Sequence, residues 1–267
     1  MKILSAHPIE ARVRERIMDE LSAIEARHQV KILFACESGS RGWGFASPDS
    51  DYDVRFIYVH SLDWYLNIEK QRDVIEVPIS DELDVCGWEL RKALGLLGKS
   101  NPTLFEWLDS PVIYRQEDWL CDELQALKAG YFSAKKARWH YLSMAKKNFR
   151  GYLQGDTVRM KKYLYVLRPL LAMLWIDCRA DMPPMRFADL AQAMLADQSA
   201  LADEINQLLA IKMSAGEAEY GARFPRIHAF IEQTLAQEVA ETSAPRPLAQ
   251  LTSLDRLLYK AVLADAA

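Results

Sequence analysis

Asp51 and Asp53 stand two residues apart at the head of an apolar run, Asp51-Tyr52-Asp53-Val54-Arg55-Phe56-Ile57-Tyr58-Val59. Side chains alternate between the two faces of a strand, so both carboxylates project to one side while Tyr52, Val54 and Phe56 project to the other. Two carboxylates on one face repel each other and need a cation. Hard divalent ions with oxygen ligands suit such a pair, and Mg2+ in particular is held by one or two carboxylates together with substrate phosphates. Upstream, Gly39 lets the backbone approach a ligand closely, and the amides after it can form an anion-binding concavity or the N-terminus of a helix. One half of the stretch can therefore hold phosphates, and the other the metal that neutralises them. Phosphoryl chemistry needs this pairing, because its transition state is stabilised mainly by positioning and by charge.

These residues need elements to position them. The segment reads as a buried strand over Ile32 to Ala35, a tight Gly39-Ser40 turn, glycines at 42 and 44, a Ser/Pro/Asp loop, and a second strand from Tyr52 to Val59. Taken alone, Ser47-Pro48-Asp49-Ser50-Asp51 is ordinary turn chemistry. Farther on, Asp73 to Ile79 and Leu83 to Trp88 read as a hairpin joined by Ser80-Asp81-Glu82, with Pro78 placing the first strand at an edge. In the second, Leu83 and Val85 share one face and Asp84 lies on the other. A lone acid inside an apolar strand costs free energy unless it is paired or bound to metal.

Strand, Gly39-Ser40, a spacer of ten residues (41 to 50) and Asp51-Tyr52-Asp53 together resemble the polymerase-beta-like nucleotidyltransferases. In that family a third carboxylate comes from a later strand beside the Asp-x-Asp strand. Asp84 is the candidate here, with Glu76 and Glu82 competing. The resemblance implies transfer of a nucleoside monophosphate from an NTP to a hydroxyl, with release of pyrophosphate. Asp51 and Asp53 would hold the Mg2+ (or Mn2+) that bridges the triphosphate. Asp84 would complete a second metal site and help deprotonate the attacking hydroxyl. Gly39 and Ser40 would grip the β- and γ-phosphates, with Arg41 and Lys161 or Lys162 as charge partners. The combination of GSRGWG, SDYDVRFIYV and GWELRKALGLLGKSNPTLFEWLDSPVIY resembles one branch more closely, the predicted nucleotidyltransferases found beside RNA-ligase and RNA-repair genes. That likeness spans Phe34 to Leu174 and puts RNA ends among the acceptors to be tested.

The rest of the chain supplies scaffold. Residues 8 to 28 place Val13, Ile17, Leu21 and Ile24 at helical spacing, the stripe of a helix that packs on a sheet. A short helix or a loop is expected over Ser61 to Glu69, and helices over Glu89 to Leu97 and Thr103 to Leu108, the last with an Asn101-Pro102 cap pattern; Trp107 reads as core. From Glu117 onward strand signals disappear. Helices are expected at 117 to 129, 133 to 150, 156 to 178, 187 to 196, 199 to 213 and 216 to 236, then a linker from Ala236 to Ser253 and a last helix. The fold class is α+β: a small mixed sheet with flanking helices over residues 1 to 115, then a helical domain over 116 to 267 that covers the cleft.

Composition sets outer bounds. With 267 residues, 50% of them hydrophobic, the chain can bury a sizeable core. A formal net charge of −4 argues against a broadly basic nucleic-acid coat. It leaves room for a local one: between Lys128 and Arg168 eleven basic residues face one acid, Asp156, with Trp139, Tyr141, Phe149, Tyr152, Tyr163 and Tyr165 interleaved. Such a cluster suits triphosphate or a nucleic-acid backbone with bases stacked on rings. Cys36, Cys86, Cys121 and Cys178 are far apart with no C-x-x-C, so reduced thiols in the cytoplasm are expected. No signal peptide or membrane span is evident, so a soluble protein is expected. Two other readings stay open at this level: a catalytically silent binding module on the same fold, such as an antitoxin, and an RNA-binding protein in which the acids are structural.

Overall fold

Helix α1 (Ala11–His28) turns Val13, Ile17, Leu21 and Ile24 inward, as their spacing predicts. The computed structural model describes residues 2–79, 82–214, 220–237 and 250–264. After α1 come strand β1 (Val30–Glu37), the short helix α2 (Gly39–Trp43) and strand β2 (Tyr52–His60). The four apolar side chains of α1 share a core with Ile32 and Ala35 of β1 and with Tyr52, Val54, Phe56 and Tyr58 of β2. Burying each such side chain is worth roughly 1.5–3 kcal/mol, which makes this stripe a main anchor of the sheet.

Beyond β2 lie α3 (Leu62–Tyr65), β3 (Val74–Glu76), β4 (Leu83–Glu89), α4 (Leu90–Gly98), α5 (Pro102–Trp107) and β5 (Ile113–Gln116). The five strands form one mixed sheet in the order β3-β4-β2-β1-β5. β3 is an edge strand, as Pro78 requires, and pairs antiparallel with β4; of the expected connecting turn, Ser80 and Asp81 lie outside the described residues. β5 escaped the sequence reading because Ile113-Tyr114-Arg115-Gln116 is too short to show a period. The expected caps are in place. Asn101 accepts from the amides of Thr103 (3.0 Å) and Leu104 (3.3 Å), with Pro102 in the first turn. Trp107 is core, stacked on Trp88 with centroids 3.9 Å apart.

Next come α6 (Asp118–Tyr131), α7 (Ala134–Tyr152), β6 (Thr157–Arg159), α8 (Lys161–Arg179), α9 (Phe187–Met194), α10 (Ser199–Ser214), β7 (Tyr220–Ala222), α11 (Pro225–Ala236) and α12 (Leu251–Ala264). The described residues fall into two compact units that interleave along the chain. A sheet unit takes residues 8–42, 51–79, 82–132 and 250–264; a helical unit takes 2–7, 43–50, 133–214 and 220–237. The expected boundary at 115 thus falls inside the sheet unit, which also holds α6 and α12. Helix α12 packs on α4, where Gly98 leaves room for Leu251 and Leu254. Most of the linker expected between 236 and 253 lies outside the described residues.

Within the helical unit, α7 packs on α8 and α8 on α9. Two stretches expected to be helical begin instead as strands: Thr157–Arg159 pairs antiparallel with Tyr220–Ala222. Strands of three residues carry no periodic signal, and the pairing across some sixty residues is a tertiary one. The Ser47–Ser50 loop is the turn its sequence predicts, with the Ser50 amide bonded to the Ser47 carbonyl at 3.1 Å. Its hydroxyls are held by the buried Lys212, whose Nζ donates to Ser47 Oγ at 2.5 Å and Ser50 Oγ at 3.1 Å.

One titration in the sheet unit has a clear sign. His60 closes β2 with its ring stacked on Trp64 at 4.2 Å, and burial, helped by repulsion from His28, lowers its pKa from 6.5 to about 4. Between those values the unfolded chain holds the extra proton, so His60 removes stability as pH falls from 6.5 toward 4. His60→Phe keeps the stack and removes the titration. Melting temperatures of the two proteins should fall less steeply with acid in the variant; parallel slopes would show that His60 does not drive the loss.

Candidate active site

The site begins with the way β1 turns back on β2. The two strands run antiparallel with Glu37 opposite Val54. The Ser38 amide donates to the Asp53 carbonyl at 2.8 Å, and the Asp53 amide donates to Glu37 Oε1 at 2.8 Å. The turn is thereby clamped onto Asp53. Gly39 follows with φ +54°, a backbone region costly for any residue with a Cβ. A Cβ at this position would lie 1.8 Å from Asp53 Oδ2 and 2.6 Å from its Cγ. The sequence assigned this glycine to close approach of a ligand; in the structure it makes room for the Asp53 carboxylate.

Strand register sets where Asp84 lies. β2 and β4 run parallel with Asp53 directly beside Asp84 and Val54 beside Val85. Adjacent strands lie about 4.8 Å apart, so the two carboxylates emerge side by side on the same face. Of the competitors, Glu76 lies on the edge strand and pairs with Arg72 at 2.6 Å, and Glu82 precedes β4 and lies 3.9 Å from Arg16. Asp51 is exposed just before β2.

Two residues that the sequence reading passed over complete the arrangement. Arg55 follows Asp53 by two and shares its face. Its Nη2 donates to Asp53 Oδ1 at 2.9 Å and to Asp84 Oδ2 at 2.7 Å; its Nη1 donates to the Asp84 and Val54 carbonyls at 2.8 and 3.1 Å. Period two alone points to it. Glu37, wholly buried at the end of β1, accepts from Tyr114 Oη at 2.5 Å as well as from the Asp53 amide. Burial pushes its carboxyl up to about 7, against the Tyr114 and Asp53 hydrogen bonds that pull it down. The signal was an acid closing the apolar run Ile32 to Cys36.

The expected phosphate partners are placed differently from one another. Ser40 is buried within α2. Arg41 is also buried, with its guanidinium 3.7 Å from the Tyr52 ring centroid, donating to the Pro8 carbonyl at 2.8 Å and the Asp51 carbonyl at 3.3 Å. Its charge is engaged by the protein. Lys161 and Lys162 open α8 in the helical unit, and the Lys162 ammonium lies 3.9 Å from the Tyr152 ring centroid. The basic run is thinner than its count suggested. Arg138 is buried against Asp177 with bonds of 2.5 and 2.9 Å, and buried Arg168 donates to the Met185 carbonyl. Lys146, Lys147 and Arg150 do line an open depression of about 570 Å³ on α7.

A glycine turn closed on an Asp-x-Asp strand, with the next acid in register on a parallel neighbour in an α+β fold, defines the polymerase-beta-like nucleotidyltransferase class. Residues 13–260 match RlaP, the RNA repair pathway DNA polymerase beta family, and the chain belongs to it. The uncharacterized protein YcgL of Bacillus subtilis (strain 168) is 45% identical over 252 residues, 94% of this chain and 96% of that protein. A nucleotidyltransferase-like protein from Exiguobacterium sibiricum 255-15 aligns over 93% of this chain and 76% of its own at 12% identity, with a TM-score of 0.28. No helix among the described residues is long and apolar enough to cross a membrane.

Proposed function

We propose that this protein transfers a nucleoside monophosphate from an NTP to a hydroxyl at an RNA end, releasing pyrophosphate. The observation that carries the reading is the register of β2 on β4, which sets Asp84 beside Asp53 over the Gly39 turn. The family supports nucleotidyl transfer and an RNA-repair setting. Free thiols at all four cysteines suit action in the reducing cytoplasm.

The donor set fits a hard divalent ion. Among the described residues no three His, Cys, Asp or Glu side chains are gathered as a ready cage, yet Asp53 and Asp84 already share one cation, the Arg55 guanidinium. Asp51, Asp53 and Asp84 would hold Mg2+ or Mn2+, which when bound neutralises triphosphate charge and acidifies the attacking hydroxyl. Glu37 and Gly39 fix Asp53, one through its amide and the other by leaving space for its carboxylate. Asp84 would help take the hydroxyl proton. Arg41, locked over Tyr52, holds the entry to β2 at Asp51, and the phosphates would meet the backbone of the Gly39-Ser40 turn, since the Ser40 side chain is buried.

The test is incubation with each labelled NTP, Mg2+ or Mn2+, and a panel of RNA ends, proteins and small hydroxyl compounds. Label should move to RNA and the transfer should stop with a chelator. Label in no acceptor, or transfer indifferent to chelation, would overturn the reading. Lys161 shares its α8 stripe with Tyr165, one turn on, and Lys161→Ala should weaken binding of a fluorescent NTP analogue more than Lys162→Ala. A charge-assisted phosphate contact is worth about 1.5–3 kcal/mol, roughly tenfold or more in affinity, and should shrink as salt rises. Equal, near-zero effects would return α8 to scaffold.

A further inference from the structure

The cation between Asp53 and Asp84 is supplied by the chain itself. Arg55 reaches it because period two sets it on the Asp53 face and the parallel register brings Asp84 alongside. One nitrogen spans Asp53 Oδ1 and Asp84 Oδ2 while the other is tied to two backbone carbonyls. The Arg55 side chain is 17% exposed, against 26% and 34% for the acids it joins. Without a cation, two carboxylates on adjacent strands repel and splay; with Arg55 they are aligned before any ligand arrives.

We propose that Arg55 is a built-in counter-cation that competes with the divalent metal for Asp53 and Asp84, so that metal binding moves both carboxylates from guanidinium to ion. This rests on the reading of those two acids as metal ligands. A nitrogen and an ion cannot occupy the same position between the same two oxygens. The bonds from Nη1 to the Val54 and Asp84 carbonyls would hold the guanidinium beside the site when the carboxylates turn to the ion. The device trades metal affinity for an ordered metal-free site.

Mn2+ titration without nucleotide, by calorimetry and electron paramagnetic resonance, tests it on the wild type, Arg55→Met, Arg55→Lys and Asp53→Asn. Removing a positive charge a few ångströms from the ion should tighten Mn2+ binding in Arg55→Met by about tenfold or more. Arg55→Lys, which keeps the charge but cannot make four contacts, should fall between. Arg55→Met should also melt lower without metal and gain more from Mn2+ than the wild type does. Should Arg55→Met not fold, the wild type answers alone: the nitrogen-15 guanidinium signals absent in Arg55→Lys should shift on Mg2+ addition. Equal or weaker Mn2+ binding in a folded Arg55→Met, or an Arg55 signal unmoved at saturating Mg2+, overturns the competition. If Asp53→Asn loses Mn2+ binding in that case, the ligand reading survives and only the role of Arg55 falls. If Asp53→Asn binds as tightly as the wild type, the ligand reading itself fails.

Discussion

Asp53→Asn and Asp84→Asn should each lower nucleotidyl transfer by about a hundredfold or more while the protein stays folded. Metal stabilisation of transition-state charge is worth several kcal/mol, and each 1.36 kcal/mol is a factor of ten. Asparagine keeps the shape and one acceptor oxygen, so Arg55 retains a partner at either position. The stability cost should stay near about 1 kcal/mol, because all three side chains of the bridge are partly exposed. Two uncompensated acids would have gained stability from losing a charge; with Arg55 between them that gain disappears. Asp51→Asn, at the exposed mouth, should lose activity with no stability change. Glu76→Gln is the control, since its carboxylate pairs with Arg72 on the edge strand. Initial rates with labelled NTP, alongside thermal melts, give the answer. An active Asp84→Asn with an inactive Glu76→Gln would mean that the third carboxylate comes from β3 rather than β4.

The sequence exposed the parts of this site that repeat along one strand and hid those that depend on a neighbour. Asp53 was legible from period two, and Asp84 from an acid facing away from Leu83 and Val85, whereas Asp51 lies exposed just before β2. That Asp84 lies beside Asp53 depends on a parallel register between strands joined through α3 and β3, which no local pattern encodes. Arg55 was legible by the same period that found the acids, but a cation inside a strand reads as a solvated residue until the opposing carboxylate is known. Arg41 shows the limit of reading charge without burial. A base after a Gly-Ser turn suggests phosphate, whereas burial and the Tyr52 ring make it part of the wall. In the helical half, charge counting could not separate the buried Arg138 and Arg168 from Lys146, Lys147 and Arg150, because each stands on a helix with both a core and a solvent face. Discontinuous units were also out of reach: α12 joins the sheet unit through contacts with α4, far away in sequence.

Gly39→Ala should cost roughly a hundredfold in transfer and about 1–3 kcal/mol in stability, more than a loop glycine would ordinarily cost. Placing alanine at φ +54° costs about 1–2 kcal/mol by itself. The new methyl would also meet Asp53 Oδ2 at 1.8 Å, and the cheapest relief is rotation of that carboxylate. Rotation gives up the Arg55 bond and the alignment with Asp84, and a misplacement of about 1 Å at reacting groups can cost a hundredfold in rate. The two parts separate in a double-mutant cycle. In an Asp53→Ala background the carboxylate is gone, so Gly39→Ala should cost only the backbone strain and a tight contact with the Cβ that remains 3.2 Å away. Urea unfolding of the four proteins at one pH reads the difference directly. A coupling near zero would mean that Gly39 serves the turn alone. A coupling of about 1 kcal/mol would show that Gly39 and the Asp53 carboxylate are spaced to fit against each other.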